Sequence, residues 1–313
     1  MRMTTRWLGL TLTLALVLGL AEWPGAQSMP DGSKARPFRV MLVPADGGTE
    51  DGTKADFVPV FGAVSRMTDL HFDIRVGQSY GAVVEGMANG LAEIGFFGPV
   101  SYLQARARGG AELLAVGVEK GQSVYYSAIF VKGDSPVTAV AELRGKRVAF
   151  GDVNSTSSFA FPVAMLLAVG LDPARDLAAV LMTGSHANSL KALQHGQADA
   201  ASASLDSFEK AVKQGAIKPD EIRVLAKSEP IPYPPLAMHP KLPAQVKTKL
   251  REAFNSVHTA PGVSKDMIRG YGGAKLDRYD ANYPESSMVT ALTKLANVTD
   301  ELKGRMLKKA AQR

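Results

Sequence analysis

The stretch Gly151-Asp152-Val153-Asn154-Ser155-Thr156-Ser157-Ser158-Phe159 sets three serines and a threonine side by side, directly after the apolar run KRVAF. If a strand ends there and a helix is capped by Asn154 or Ser155, the amides of Thr156, Ser157 and Ser158 point outward without intrahelical acceptors, and the positive end of the helix dipole stands behind them. Hydroxyl donors on the same turn make this a cradle for an oxyanion that needs no Lys or Arg. An ordinary N-cap with a serine-rich, solvated surface accounts for the same residues equally well.

Other chemistry finds weaker support. Gly77-Gln78-Ser79-Tyr80-Gly81 fits G-x-S-x-G between an apolar run and a helical pattern, the setting of a hydrolase nucleophile elbow with Ser79 as nucleophile. With so many glycines, and with His186, His195, His239 and His258 all following it, the match is cheap. Ser207-Phe208-Glu209-Lys210 as an S-x-x-K site is weaker still. The histidines show no metal-binding spacing and the chain has no cysteine, so neither a metal nor another cofactor is expected. Asp46 to Asp51 carries carboxylates but not the alternation of a calcium loop, and reads as a solvated loop.

The elements that must position the serine run alternate between apolar runs and helical patterns. FRVMLV (38–43), DIRVG (73–77), EIGFFG (93–98) and ELLAVGVE (112–119) read as strands, with helices near 54–67, 80–90 and 100–108 between them. VYYSAIFVKGD (124–134) reads as a neighbouring strand. The rhythm restarts with KRVAFG (146–151), a helix over 155–170, then strand and helix in turn to EIRVLAKS (221–228). Pro162 falls inside the 155–170 helix and should kink it or cost a backbone bond. EPIPYPPLAMHP (229–240) is a stiff, proline-rich connector returning the chain to its first half. The expected fold is therefore α/β: two three-layer lobes, one of them discontinuous, around a cleft, with a hinge of two chain crossings near 130–136 and 228–234. The expected boundaries are 36–133 plus 231–305 for the first lobe and 134–230 for the second.

Arg2 and Arg6 followed by LGLTLTLALVLGLA (8–21) read as a secretory signal peptide, taken as residues 1–26, which is too short for a comfortable membrane span. Without cysteine there is no acceptor for a lipid anchor, so a freely diffusing periplasmic monomer is expected. The net charge of +6 is scattered rather than clustered, which argues against a nucleic-acid partner and is compatible with small anions. Tyr80, Phe96, Phe97, Tyr102, Tyr125 and Tyr126 fall at strand ends and loop edges, where aromatics can wall a cleft.

Several motifs together resemble one family. MLVP (41–44), SYGAVVEGMANGLAEIGFFGPVSY (79–102), YYSAIFVKGDSP (125–136), LRGKRVAFGDVNSTSSFAFP (143–162) and GSHANSLKALQHGQADAASASLDSFEK (184–210) are similar, in order, to the phosphate/phosphite/phosphonate-binding periplasmic proteins. These are the ligand receptors of ABC importers, with the type II periplasmic binding protein fold. The resemblance implies Ser155, Thr156 and Ser157 as the oxyanion motif, His186 opening the next helix, Tyr80 and Tyr126 as aromatic contacts, and Asp206 as an acidic contact. Where the family usually has Gly after Ser-Thr-Ser, this chain has Ser158. Asp206 makes physical sense beside an anion if the ligand brings a P–OH or an ammonium group; a fully ionised sulfate or sulfonate has no such donor. The implied function is capture of a phosphorus oxyanion and delivery to a membrane permease, without catalysis. A sensor that reports to a membrane histidine kinase, and a secreted hydrolase using Ser79, are the alternatives.

Overall fold

The computed structural model describes residues 29–44 and 50–312. The expected leader and the Asp46–Thr49 part of the acidic loop lie outside these residues. Strand and helix alternate through β1 (Phe38–Leu42), α1 (Glu50–Thr68), β2 (Phe72–Val76), α2 (Tyr80–Ala88), β3 (Ile94–Phe96), α3 (Pro99–Ala107) and β4 (Glu112–Val118). The short β5 (Val124–Tyr125) leads into β6 (Ser127–Lys132), β7 (Arg147–Phe150), α4 (Phe161–Ala168), α5 (Pro173–Asp176), β8 (Ala179–Met182), α6 (His186–Gln194), β9 (Ala200–Ser204), α7 (Leu205–Lys213) and β10 (Ile222–Lys227). The chain then runs through β11 (Ile231–Pro232), β12 (Pro235–Met238), α8 (Ala244–Ser256), β13 (Arg278–Asp280), α9 (Glu285–Leu292) and α10 (Asp300–Ala310).

Two mixed sheets result. The first has the order β13-β4-β12-β3-β1-β2, and the second β10-β6-β9-β7-β8. β1 is parallel to β2 and β3, and β7 is parallel to β8 and β9, as expected where helices carry the chain back between strands. In the second sheet the strand period of two divides the core: Ile129, Val131, Val148 and Phe150 pack on one face, Ala128, Phe130 and Ala149 on the other. Helices cover both faces, which is the three-layer arrangement that the apolar strands require.

Three placements differ from the sequence expectation. Contiguity with β4 predicts β6 in the first sheet, but it pairs with β9 and β10 in the second. The chain crosses earlier, at β5, which pairs antiparallel with β11 as Tyr125 opposite Ile231 and Val124 opposite Pro232. The last helix, expected with the first half as far as residue 305, lies on the second sheet. Val298, Leu302 and Met306 form the apolar stripe of this segment and pack with Leu171, Leu177 and Val180. Each such buried side chain contributes roughly 1.5–3 kcal/mol, which outweighs sequence proximity to α9. Third, the expected 155–170 helix is not α-helical throughout. Thr156–Ala160 is a π-helical turn that runs into α4 through helical backbone at Ala160 and Phe161; Pro162, in the first turn of α4, brings no amide, and the Ser157 and Ser158 carbonyls accept the Ser127 and Ser202 hydroxyls instead.

Candidate functional site

Parallel strands deliver the starts of their following helices to one edge of a sheet. Here β2, β7, β8 and β9 are followed by turns capped by Ser79, Ser155, Ser185 and Ser204, each accepting a backbone N–H from the turn that it opens. These starts meet between the two sheets. The Tyr80 amide, opening α2, donates to Asp152 of the second half at 3.3 Å, and the Val100 amide of α3 donates to Thr156 Oγ1 at 2.8 Å. Several helix N-termini thus face the same space, and their dipoles favour an anion without any cationic side chain.

The serine run forms the floor. Ser155 Oγ accepts the Ser158 amide at 3.1 Å, and the Ala160 amide reaches back to the Ser155 carbonyl, the five-residue step of a π turn. The amides of Thr156 and Ser157 open this turn and have no acceptor within it. The turn is held from beneath by hydroxyls of the second sheet. Ser127 Oγ donates to the Ser157 carbonyl at 2.6 Å and Ser202 Oγ to the Ser158 carbonyl at 2.8 Å. Ser155, Thr156, Ser157 and Ser158 are all buried. Above them, an added Cβ at Gly98 would lie 3.1 Å from Thr156 Oγ1, so the absence of a side chain there lets the first half approach.

His186, the first residue of α6, is fully buried. Its Nδ1 accepts the Ser204 amide at 2.9 Å, so a neutral ring carries its proton on Nε2. Three oxygens from both halves gather at that nitrogen: Tyr271 Oη at 2.8 Å, Tyr80 Oη at 3.3 Å and Ser155 Oγ at 3.5 Å. The imidazole is therefore fixed as a donor into the cleft, beside the serine turn.

Of the residues expected from sequence, the structure brings Tyr80, Ser155, Thr156, Ser157 and His186 together. Asp206 stands half-buried in the first turn of α7, with its Cβ 3.0 Å from the position of an added Cβ on Gly272 and its charge felt by Tyr125. Tyr126 is half-buried, with the Lys227 ammonium 3.8 Å from its ring centre, and lines a second cavity with Tyr125 and Asp206. Its neighbour Tyr125 points inward instead, because adjacent strand residues face opposite ways. Burial raises the Tyr125 hydroxyl pKa, opposed by hydrogen bonds with Ser157 and Thr156, and the group stays a neutral donor. Ser79 caps α2, its Oγ accepting the Ala82 amide at 3.0 Å.

Sequence reasoning passes over two further residues. Tyr271 lies in the GYGG segment, which reads only as a turn; its aromatic between glycines is the one available signal. Asp152 lies inside the opening motif, yet its role depends on the other half of the chain. Its Oδ1 accepts the Asn154 amide at 2.8 Å and its Oδ2 the Tyr80 amide. Desolvation raises its pKa, and those backbone donors offset only part of the shift. A further link between the halves is the buried ion pair of Lys210 Nζ and Asp56 Oδ2 at 2.7 Å.

Two sheets joined by paired crossings, with helix starts and hydroxyls meeting between them, define a ligand-binding class rather than a structural module. Solved structures of that class share the fold. A binding protein component of a phosphonate ABC transporter from Pseudomonas aeruginosa superposes with a TM-score of 0.69 at 19% identity, covering 87% of this chain and 98% of the other. PhnD1 from Prochlorococcus marinus, solved with methylphosphonate, gives 0.66 at 17% identity, covering 87% and 98%. The fold is that of a type II periplasmic binding protein. Residues 48–280 match the family described as ABC transporter, phosphonate, periplasmic substrate-binding protein, and the chain belongs to that family. It is 27% identical over 256 residues to the phosphate-import protein PhnD of Mycolicibacterium smegmatis, covering 77% of this chain and 79% of that one. With the phosphonates-binding periplasmic protein of Escherichia coli it shares 25% identity over 218 residues, 68% of this chain and 64% of the relative.

Proposed function

We propose that this protein captures a phosphorus oxyanion (phosphonate, phosphite or phosphate) in the cleft between its sheets and delivers it to the membrane permease of an ABC importer. The observation that carries this reading is the convergence of the Ser155–Ser158 turn, the His186 Nε2–H and the Tyr80 hydroxyl on one buried space. Each supplies a neutral donor, and together they satisfy several oxygens of a tetrahedral anion without a counter-ion. Asp206 acts as the acceptor for a P–OH or an ammonium on the ligand and rejects anions that bring no proton.

In this reading the halves are two lobes that close on the ligand, hinged at the crossings of β5 and β11. Lobe one holds residues up to about Tyr125 and those from about Ile231 to α9; lobe two holds those between, together with α10. Tyr80–His186, Val100–Thr156 and Asp56–Lys210 are contacts of the closed form. The protein acts in the periplasm as a monomer, after removal of its leader, and does no chemistry on the ligand, since Ser79 already serves as a helix cap. Titration calorimetry against methylphosphonate, phosphite, phosphate, sulfate and methanesulfonate tests the reading. The expected result is binding of at least one phosphorus ligand with sulfate and methanesulfonate weaker by tenfold or more; tight sulfate or sulfonate binding with no response to the phosphorus compounds overturns it.

A further inference from the structure

The short turn Tyr271–Gly273 places a tyrosine of the first half among the groups of the second. Tyr271 Oη lies 2.8 Å from His186 Nε2 and 3.1 and 3.4 Å from the Ser204 and Ser207 hydroxyls. Its ring packs edge-on against Tyr125 at 5.5 Å and against His186 at 5.8 Å between centroids, and tilted against Phe96 at 6.2 Å. The residue is 4% exposed. Its far side is different: the backbone of Gly272, Gly273 and Ala274 lines a cavity of about 400 Å³, with Asp56, Asp206 and Lys210 on other walls. The Tyr271 turn therefore stands between the imidazole of the cradle and that cavity.

The turn is closely seated. Gly272 and Gly273 have φ of +65° and +70°, a conformation that other residues adopt with strain. A Cβ at Gly270 would come within 2.6 Å of Tyr233 Oη, and one at Gly273 within 2.8 Å of Asp56 Oδ1. Backbone seated this closely against Tyr233 and Asp56 has little room to shift, so a ligand group growing from the cradle toward Asp206 meets the Tyr271 ring itself.

We propose that Tyr271 is a specificity-determining residue that sets the largest substituent the phosphorus atom can carry. With the ring in place the site takes oxyanions whose fourth substituent is hydrogen, hydroxyl or methyl; without it, the volume of the ring opens beside the cradle and longer alkyl groups fit there. This rests on the oxyanion reading above and adds a size limit to it. One methylene too many in a closed site is worth roughly 10–200-fold in discrimination.

Calorimetry with methylphosphonate, n-propylphosphonate, phosphite, phosphate and sulfate on the wild type, Tyr271→Phe and Tyr271→Ala tests the inference. Tyr271→Val replaces the alanine variant if the latter does not fold. The wild type is expected to prefer methylphosphonate over propylphosphonate by about tenfold or more, at the low end of that discrimination. Tyr271→Phe, which keeps the ring, should keep that preference, and Tyr271→Ala should reduce it about tenfold by binding propylphosphonate more tightly than the wild type does. Equal weakening of both ligands in Tyr271→Ala, or a wild type that binds propylphosphonate as tightly as methylphosphonate, overturns the size limit alone. Binding of phosphite or phosphate but of neither phosphonate also overturns the size limit alone, and failure of the wild type to bind methylphosphonate, phosphite or phosphate, with sulfate bound, overturns the oxyanion reading and this inference with it.

Discussion

Gly151→Ala should damage the protein, and Ser158→Gly should repair most of the damage. An added Cβ at Gly151 would stand 2.1 Å from Ser158 Oγ and 2.8 Å from its Cβ, distances that real Cβ contacts do not reach. Neither side can yield easily, because the Gly151 amide is bonded to the Ser158 carbonyl at 3.1 Å and that carbonyl is also held by Ser202. Overpacking of this kind costs typically 1–3 kcal/mol. Ser158 also carries a buried hydroxyl oxygen with no hydrogen-bond partner among the described residues. Removing such an orphan recovers about 1–3 kcal/mol, against about 0.5–1 kcal/mol for the backbone freedom that a glycine adds. Ser158→Gly alone should therefore range from neutral to about 2.5 kcal/mol more stable than wild type. The double variant should sit close to Ser158→Gly alone, giving a coupling energy above about 1 kcal/mol. Urea unfolding of the four proteins, read by fluorescence and fitted with a common slope, measures that coupling. Additive effects, with no coupling beyond about 0.5 kcal/mol, would refute the claim that the two positions share one space.

Three further outcomes follow from named contacts. Lys210→Met removes one partner of the buried pair that links α7 to α1, leaving Asp56 poorly compensated, and should weaken ligand affinity about tenfold by destabilising the closed form; an unchanged calorimetric Kd contradicts this. The raised pKa of Asp152 means that its contribution is most favourable when the carboxyl is protonated and declines as pH rises through the raised value. Asp152→Asn should thus gain stability relative to wild type as pH increases across that window, and a pH-independent difference in unfolding midpoints counts against it. Ser79→Ala should cost about 1 kcal/mol of stability through loss of the α2 cap while binding persists, as thermal unfolding and calorimetry on the same sample would show; a covalent serine probe that labels Ser79 would instead revive the hydrolase alternative.

Much of the frame is legible in the sequence because strand and helix periods differ, and because a serine run after an apolar stretch has few uses. The helix starts at Tyr80 and His186 and the turn opened by Ser155 follow from such local signals. What resists reading is long-range pairing. β6 follows β4 closely in the chain, yet its partners β9 and β10 lie far along the sequence, and no local pattern reports that. Which of Tyr125 and Tyr126 is buried depends on the pairing of β5 with β11 and on the one-residue link to β6, and a slip of one residue inverts the answer. Tyr271 is invisible for a related reason: its partners His186, Ser204 and Ser207 belong to the other half of the molecule. Pro162, in contrast, is a local signal that contiguity hides, since it marks where the π turn ends and α4 begins.

A crystal structure of the protein grown with methylphosphonate tests the central claim most directly. The phosphonate is expected between the sheets, with its oxygens within about 3.2 Å of the Thr156 and Ser157 amides and of His186 Nε2, the ordinary reach of an N–H donor. Asp206 is expected on the side of any protonated oxygen. A phosphonate held elsewhere, by lysine or arginine side chains and away from the serine turn, would contradict that claim.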